Sequence, residues 1–260
     1  MKFFTVIIAS TLLFFNTSQA QWKSTIKGDG NVITEKRDIE PYASIVIHTN
    51  VDVSLIKGKE GVVTLKGEKN ILEHLELAVK NNVLNIRTKK NVSLKPSLKN
   101  QIAIEIPITT VVKLEVNGSG EIKGKDPIKG DEVKLIVNGS GDLNITLDAN
   151  TVKAFVSGSG DLKAILHAKT IKASLSGSGD IKLSGEATTL NAAVTGSGDI
   201  DSRTLQVRNG VAKVVGSGDV YITASEQLSA TIVGSGDIHI NGDVGKIEKK
   251  IVGSGSINKR

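Results

Sequence analysis

Seven acids occupy one fixed place in a repeated sequence, and they are the chain's clearest candidates for chemistry. Glu121, Asp142, Asp161, Asp180, Asp199, Asp219 and Asp237 each follow a Gly-Ser-Gly triplet directly. The triplets begin at Gly118, Gly139, Gly158, Gly177, Gly196, Gly216, Gly234 and Gly253, at intervals of 21, 19, 19, 19, 20, 18 and 19 residues. Stacked about 4.8 Å apart in successive coils, such carboxylates repel by roughly 0.9 kcal/mol per neighbouring pair in water. Calcium would relieve the repulsion, because it takes several carboxylate and carbonyl oxygens. Yet one carboxylate per coil does not close a cage, unlike the Gly-Gly-x-Gly-x-Asp nonapeptide of calcium-binding β-rolls. Lys123, Lys163 and Lys182 stand two residues after an acid and offer another neutralising charge. The plainer expectation is a structural corner. Glycine turns the chain at positive φ, and the acid accepts a hydrogen bond from a nearby backbone N–H.

A basic column sits before the triplet. Lys113, Lys134, Lys153 and Lys172 each precede it by five residues, which stacks them on one outward face. Such a column suits an anionic glycan or an acidic partner, and equally an ordinary solvated strand that keeps a sheet soluble.

Catalytic patterns are missing. The acids form an even ladder and do not pair across a cleft, as polysaccharide-cleaving sites require. His48, His74, His167 and His239 are unrelated in spacing, and no His-x-His or His-Glu-x-x-His sequence offers a zinc site. Gly-Ser-Gly-Asp lacks the lysine of a phosphate loop. We therefore expect no enzyme and no cofactor, with calcium as the one ion to consider.

The elements that hold these residues follow from the columns around the triplet. Two residues before it stand Val116, Val137, Val156, Leu175, Val194, Val214, Ile232 and Ile251; four after it stand Ile122, Leu143, Leu162, Ile181, Ile200, Val220, Ile238 and Ile257. Six before it the residues are aliphatic except for Gly210. Alternation of β-branched residues marks half-buried strands entering and leaving the corner. Four before the triplet, Ala154, Ala173, Ala192, Ala212 and Ala230 follow Leu114 and Leu135, which implies a narrow interior. Lys249 breaks that column in the last coil, where an end meets solvent. A 19-residue period fits a flattened or three-sided coil. We expect an all-β chain, a right-handed parallel β-helix, since parallel crossovers take that hand.

The N-terminus reads as an export signal over residues 1–20. Lys2 precedes a mostly apolar run from Phe3 to Phe15, and Ser18-Gln19-Ala20 supplies small residues at a cleavage site. The run is too short to span a membrane. No cysteine is present, so neither a disulfide nor a lipid-bearing thiol is expected. The net charge of +6 is scattered among acids and leaves no nucleic-acid footprint. Beyond the signal, Trp22, Tyr42, Phe155 and Tyr221 are the whole aromatic content, too little for a row of sugar-stacking platforms.

Residues 21–110 are β-rich but irregular, and residues 111–260 carry the repeats. Val51-Asp52-Val53 follows Thr49-Asn50, a degenerate triplet; Lys80-Asn81-Asn82 reads as a hairpin turn; Asn70 reads as the cap of a helical turn over 70–75. The segment from Asn70 to Leu75, the hairpin, Ile102-Ala103-Ile104-Glu105-Ile106-Pro107 and Val116-Asn117-Gly118-Ser119-Gly120-Glu121 resemble the head GIN domain family. That family comprises exported bacterial proteins described as auto-transporter adhesins. The resemblance covers residues from about Ile39 onward and implies an all-β solenoid with a role in adhesion. It brings no catalytic residues. The expected function is a non-enzymatic binding module in the periplasm, at the outer surface or outside the cell, whose partner is an envelope or cell-surface polymer or protein. The alternatives are a structural envelope protein that self-associates through its solenoid and, third, a polysaccharide-active enzyme.

Overall fold

The computed structural model describes residues 24–97 and 102–259. The export segment expected over residues 1–20 lies outside the described residues. Among the described residues, no helix is long and apolar enough to cross a membrane.

The chain is a β-solenoid of about 8 turns with coils of roughly 19 residues. Each coil pairs in parallel with the next in strict register: Gly139 lies opposite Gly158, Gly158 opposite Gly177, and Gly177 opposite Gly196. Strands run almost unbroken from one Gly-Ser-Gly corner to the next, as in Leu162–Gly177 and Ile181–Gly196. The triplet is the sharp break in the coil. Its first glycine holds φ between 112° and 137° at every repeat, a region that side chains disfavour. The second glycine is required for another reason. A Cβ at Gly179 would press into the carbonyl oxygen of Gly160 in the coil below.

The predicted columns face inward. The alanines at 154, 173, 192, 212 and 230 are buried, as are the aliphatic residues two before and four after the triplet through Ile238. Further inward columns lie beyond those read from the sequence, among them Ile145, Ala164, Leu183, Ile222 and Ile240. Val112 departs from its column and is 54% exposed. At the last coil Ile251 is 44% exposed because no coil covers it, whereas Val214 and Ile232 above it are buried. There Lys249 lies in line with the alanines and donates from Nζ to the carbonyl of Ile257 at 3.1 Å, bridging the open end.

The first ninety described residues both continue this ladder and close it. Ser44–Ile47 pairs in parallel with Lys113–Gly118, and Asp52–Lys57 with Glu121–Gly124, so residues 44–57 form a coil in register with the repeats. The next coil outward comes from later sequence: Val83–Thr88 lies on Ser44–Ile47, and Ala103–Ile108 on Asp52–Lys57. Antiparallel strands then end the parallel ladder. Leu75–Lys80 folds onto Val83–Thr88 through Asn81 and Asn82, both at positive φ, as the hairpin reading expects. Val62–Glu68 lies antiparallel on Ala103–Ile108 and is covered in turn by Val32–Asp38. Covering an edge in this way removes a template for pairing with other chains. One expectation fails here. The helical turn spans Lys69–Leu72 with Glu68 at its N-cap and no side-chain cap bond, while Asn70 donates to the carbonyl of Lys27 at 2.7 Å. The Asn70 side chain thus ties the turn to the strand Ser24–Lys27 and does not cap it.

Candidate functional site

The acid column forms a hydrogen-bonded ladder. The carboxylate Oδ1 of Asp142 accepts from the N–H of Asp161 at 3.2 Å, that of Asp161 from Asp180 at 3.1 Å, and that of Asp180 from Asp199 at 3.1 Å. The series continues through Asp219, Asp237 and Ser256 at 2.8, 2.8 and 2.7 Å. Each acid from Asp142 to Asp237 thus supports the backbone of the following corner, and the charge-assisted bonds offset the repulsion along the column. Glu121 does not, because the N–H of Asp142 donates to the carbonyl of Gly120 at 3.0 Å. Asp52 lies opposite Glu121 and begins the column one coil earlier, with Thr49-Asn50-Val51 in the place of the triplet. Among the described residues, no three His, Cys, Asp or Glu side chains converge to hold a metal.

The lysine column is also in register. Lys113, Lys134, Lys153 and Lys172 lie directly opposite one another. Two of them are engaged, Lys113 with Glu115 at 2.8 Å and Lys153 with Glu132 at 2.5 Å. Beyond Lys172 the column reads Asn191, Val211, Ser229 and Glu248, so its positive charge covers only half of the solenoid.

A different feature stands out where the repeat loses its regularity. The intervals of 20 and then 18 residues coincide with register shifts between Ser202 and Gln206, and again between Val207 and Asn209. This is a β-bulge, the device by which a strand re-aims a side chain. Here it projects Arg203. Asp201 holds the guanidinium in a fork, Nε at 2.9 Å and Nη2 at 2.6 Å, and accepts from the Arg203 N–H at 3.1 Å. The guanidinium carbon lies 4.7 Å from the centroid of Tyr221, whose other face stacks on His239 at 4.6 Å and 14°. The result is an outward pile of cation, phenol and imidazole, one from each successive coil.

The bulge is anchored from within. Ser202 is fully buried, in a column that elsewhere holds Ile, Leu or Ala, and its hydroxyl donates to the carbonyl of Tyr221 at 2.6 Å. Thr223, 8% exposed, donates to the carbonyl of Arg203 at 2.8 Å. Ser202 and Thr223 are two of four buried polar or charged residues among those described. Burying hydroxyls in an aliphatic core costs stability unless each is bonded, and a regular 19-residue coil would need neither.

Beside the bulge lies a groove of about 310 Å³, lined by Asp161, Lys163, Asp180, Lys182, Asp199, Asp201, Arg203 and Tyr221 together with the backbone between them. Their environments differ. The Arg203 hydrogen bond holds Asp201 below the usual aspartate range, whereas burial lifts Asp199 above it, helped by Asp219 and Asp180. Burial and the nearby Asp219 also raise the Tyr221 phenol. Asp161, Asp180 and Asp199 each use Oδ1 in the ladder, while their Oδ2 atoms and the Lys163 ammonium make no hydrogen bond or ion pair; Lys182 lies opposite Asp201 and acts on it through space. A larger cleft of about 550 Å³ opens between the 48–52 corner and residues 92–97, but Asp52 is the one carboxylate among its described lining.

Sequence reasoning placed Asp161, Asp180, Asp199, Lys163 and Lys182 correctly in their columns but missed Asp201, Arg203, Tyr221 and His239. The signal for them was the spacing itself: one coil a residue long, followed by one a residue short.

The family described as "Putative auto-transporter adhesin, head GIN domain" matches residues 41–165 and 154–244. No curated protein matches the chain. A solved structure titled as a lipid binding protein from Parabacteroides distasonis superimposes with a TM-score of 0.85 at 28% identity, covering 91% of this chain and 100% of that one. A structure titled as an adhesin from the same organism gives 0.85 at 24% identity over 91% and 100% of the two chains. One titled as an adhesin from Parabacteroides merdae gives 0.85 at 22% over 91% and 99%. These last two show the shared fold.

Proposed function

The chain belongs to the head GIN domain family, and from that premise we propose that it is an exported, non-enzymatic binding module that works as an adhesin. The observation that carries this reading is the Arg203 bulge. The solenoid departs from its own period, buries two hydroxyls to hold the departure, and so fixes a cation over an aromatic ring at the mouth of a polar groove. Structural corners recur in every coil, but this arrangement is built once. The partner we propose is a polymer of a cell surface or envelope, met by the long outward face, where several weak contacts add through avidity.

The name of the solved relative raises a lipid ligand as the alternative. In this chain the coil interior is filled by its own aliphatic columns, fully buried at Leu162, Leu166, Ile171, Ile181, Leu183 and Leu190, which leaves an acyl chain the outer surface and the cleft beside residues 92–97. Self-association through the solenoid end is disfavoured by Lys246, Lys249, Lys250 and Lys259 on the last coil. The test is binding of the fluorescently labelled full chain to intact cells and isolated envelopes. Saturable binding is expected. Absent or linear, non-saturating uptake would contradict the reading.

A further inference from the structure

The groove's charges identify the chemistry it accepts. Four carboxylates, Asp161, Asp180, Asp199 and Asp201, face three cations, Lys163, Lys182 and Arg203, so the lining carries one net negative charge. Arg203 is already committed to Asp201 through two nitrogens, with Nη1 left over. An anionic ligand would lie among four carboxylates, with only the two ammonium groups and the spare Nη1 to offset them. A metal would find no three ligands together. Oδ2 of Asp161 and of Asp180 and the ammonium groups of Lys163 and Lys182 make no hydrogen bond or ion pair, the last acting on Asp201 only through space. Acceptors and donors alternate along the groove, each acid separated from its lysine by one inward residue. A hydroxyl group is the ligand atom that serves both at once, since it donates one hydrogen bond and accepts others. Neighbouring hydroxyls on one carrier would meet successive pairs, which repeat every rung, about 4.8 Å.

We infer that this groove binds the hydroxyl face of a neutral saccharide lying along the solenoid axis, with the Asp161/Lys163 and Asp180/Lys182 pairs reading its hydroxyls and Arg203 closing one end. The inference rests on the binding-module reading above. Tyr221 does not act as a stacking platform, because Arg203 covers one face of its ring and His239 the other. Its edge and hydroxyl form the wall at the closed end. Scarcity of aromatic residues therefore does not bar a sugar ligand here. Recognition runs through charge-assisted hydrogen bonds, while the volume of about 310 Å³ limits contact to a short stretch of the polymer.

The experiment is calorimetric titration of the full chain with two neutral polysaccharides, dextran and galactomannan, and with polygalacturonate and phosphatidylglycerol vesicles, each at low and at physiological salt. We expect a neutral polymer to bind with an affinity that salt leaves unchanged, because no net ion pair forms. Arg203→Ala and the double change Lys163→Ala with Lys182→Ala should each weaken that binding about tenfold. Asp180→Asn should do the same at unchanged melting temperature, since its side-chain oxygen can still accept from Asp199. Preference for polygalacturonate or vesicles, binding that salt abolishes, or neutral-polymer binding that survives all three variants would overturn the inference. Saturable cell binding without binding of either neutral polymer would overturn the ligand class and leave the binding-module reading standing; loss of both would remove both.

Discussion

At the scale of single residues, the acid column shows how one side chain can answer two demands. One oxygen of each aspartate from Asp142 to Asp237 supports the N–H of the following corner, and at Asp161, Asp180 and Asp199 the other makes no hydrogen bond. Removing the carboxyl and keeping its shape should therefore differ. Asp180→Ala leaves the Asp199 N–H without its partner and should cost about 1 kcal/mol in urea unfolding, whereas Asp180→Asn should cost less than half of that. Because the ladder is closed by N–H groups, millimolar calcium should leave the melting temperature where EDTA leaves it; a clear rise would make the unbonded oxygens a metal site. Asp199 supplies a test of sign. Its folded pKa lies above the ordinary 3.8, chiefly through burial, so the folded state holds that proton more tightly than the unfolded chain. Stability from this group is present at and below pH 3.8 and declines as pH rises through the raised folded value. Asp199→Asn should flatten that part of the stability–pH curve, and an unaltered curve would count against the assignment.

At the scale of the coil, legibility in the sequence followed repetition. The columns at two before and four after the triplet, the alanine stripe and the acids could be read because each recurs at a fixed offset and is selected by the same neighbours above and below. The Arg203 bulge could not be read this way, since it occurs once. Only the 20-then-18 interval marked it, and an interval does not say which side chain is re-aimed. Ser202 is the residue on which that geometry depends. Ser202→Ala would remove the hydroxyl that donates to the carbonyl of Tyr221 from within the core and should destabilise the chain by about 1 kcal/mol. It should also weaken polymer binding, although Ser202 is fully buried and cannot touch a ligand. A loss of stability with full binding would show that the bulge holds Arg203 without this bond.

At the scale of the whole molecule, the solenoid is a stack in which each coil contacts chiefly its neighbours, and the two ends need separate solutions. The far end is bridged by Lys249, visible in the sequence as a break in the alanine stripe. The near end was legible in part, through the degenerate triplet at Thr49-Asn50, but its pairing order was not. Residues 44–57 pair forward with the repeats at 113–124 and outward with strands that come later in the chain, an order that no local pattern encodes. Beside the Thr49-Asn50 corner, the Asn81-Asn82 hairpin carried its own signal there, because a two-residue turn at positive φ has a sequence signature. Between these ends the face is interrupted at the 21-residue coil after Gly118 and at the Arg203 bulge, and only the bulge piles a cation on an aromatic ring. The direct measurement is the cell-binding isotherm of Arg203→Ala beside that of the unaltered chain, with melting temperatures recorded for both. We predict about tenfold weaker binding at equal melting temperature. Equal affinity for the two proteins would contradict the assignment and move the contact surface away from the bulge.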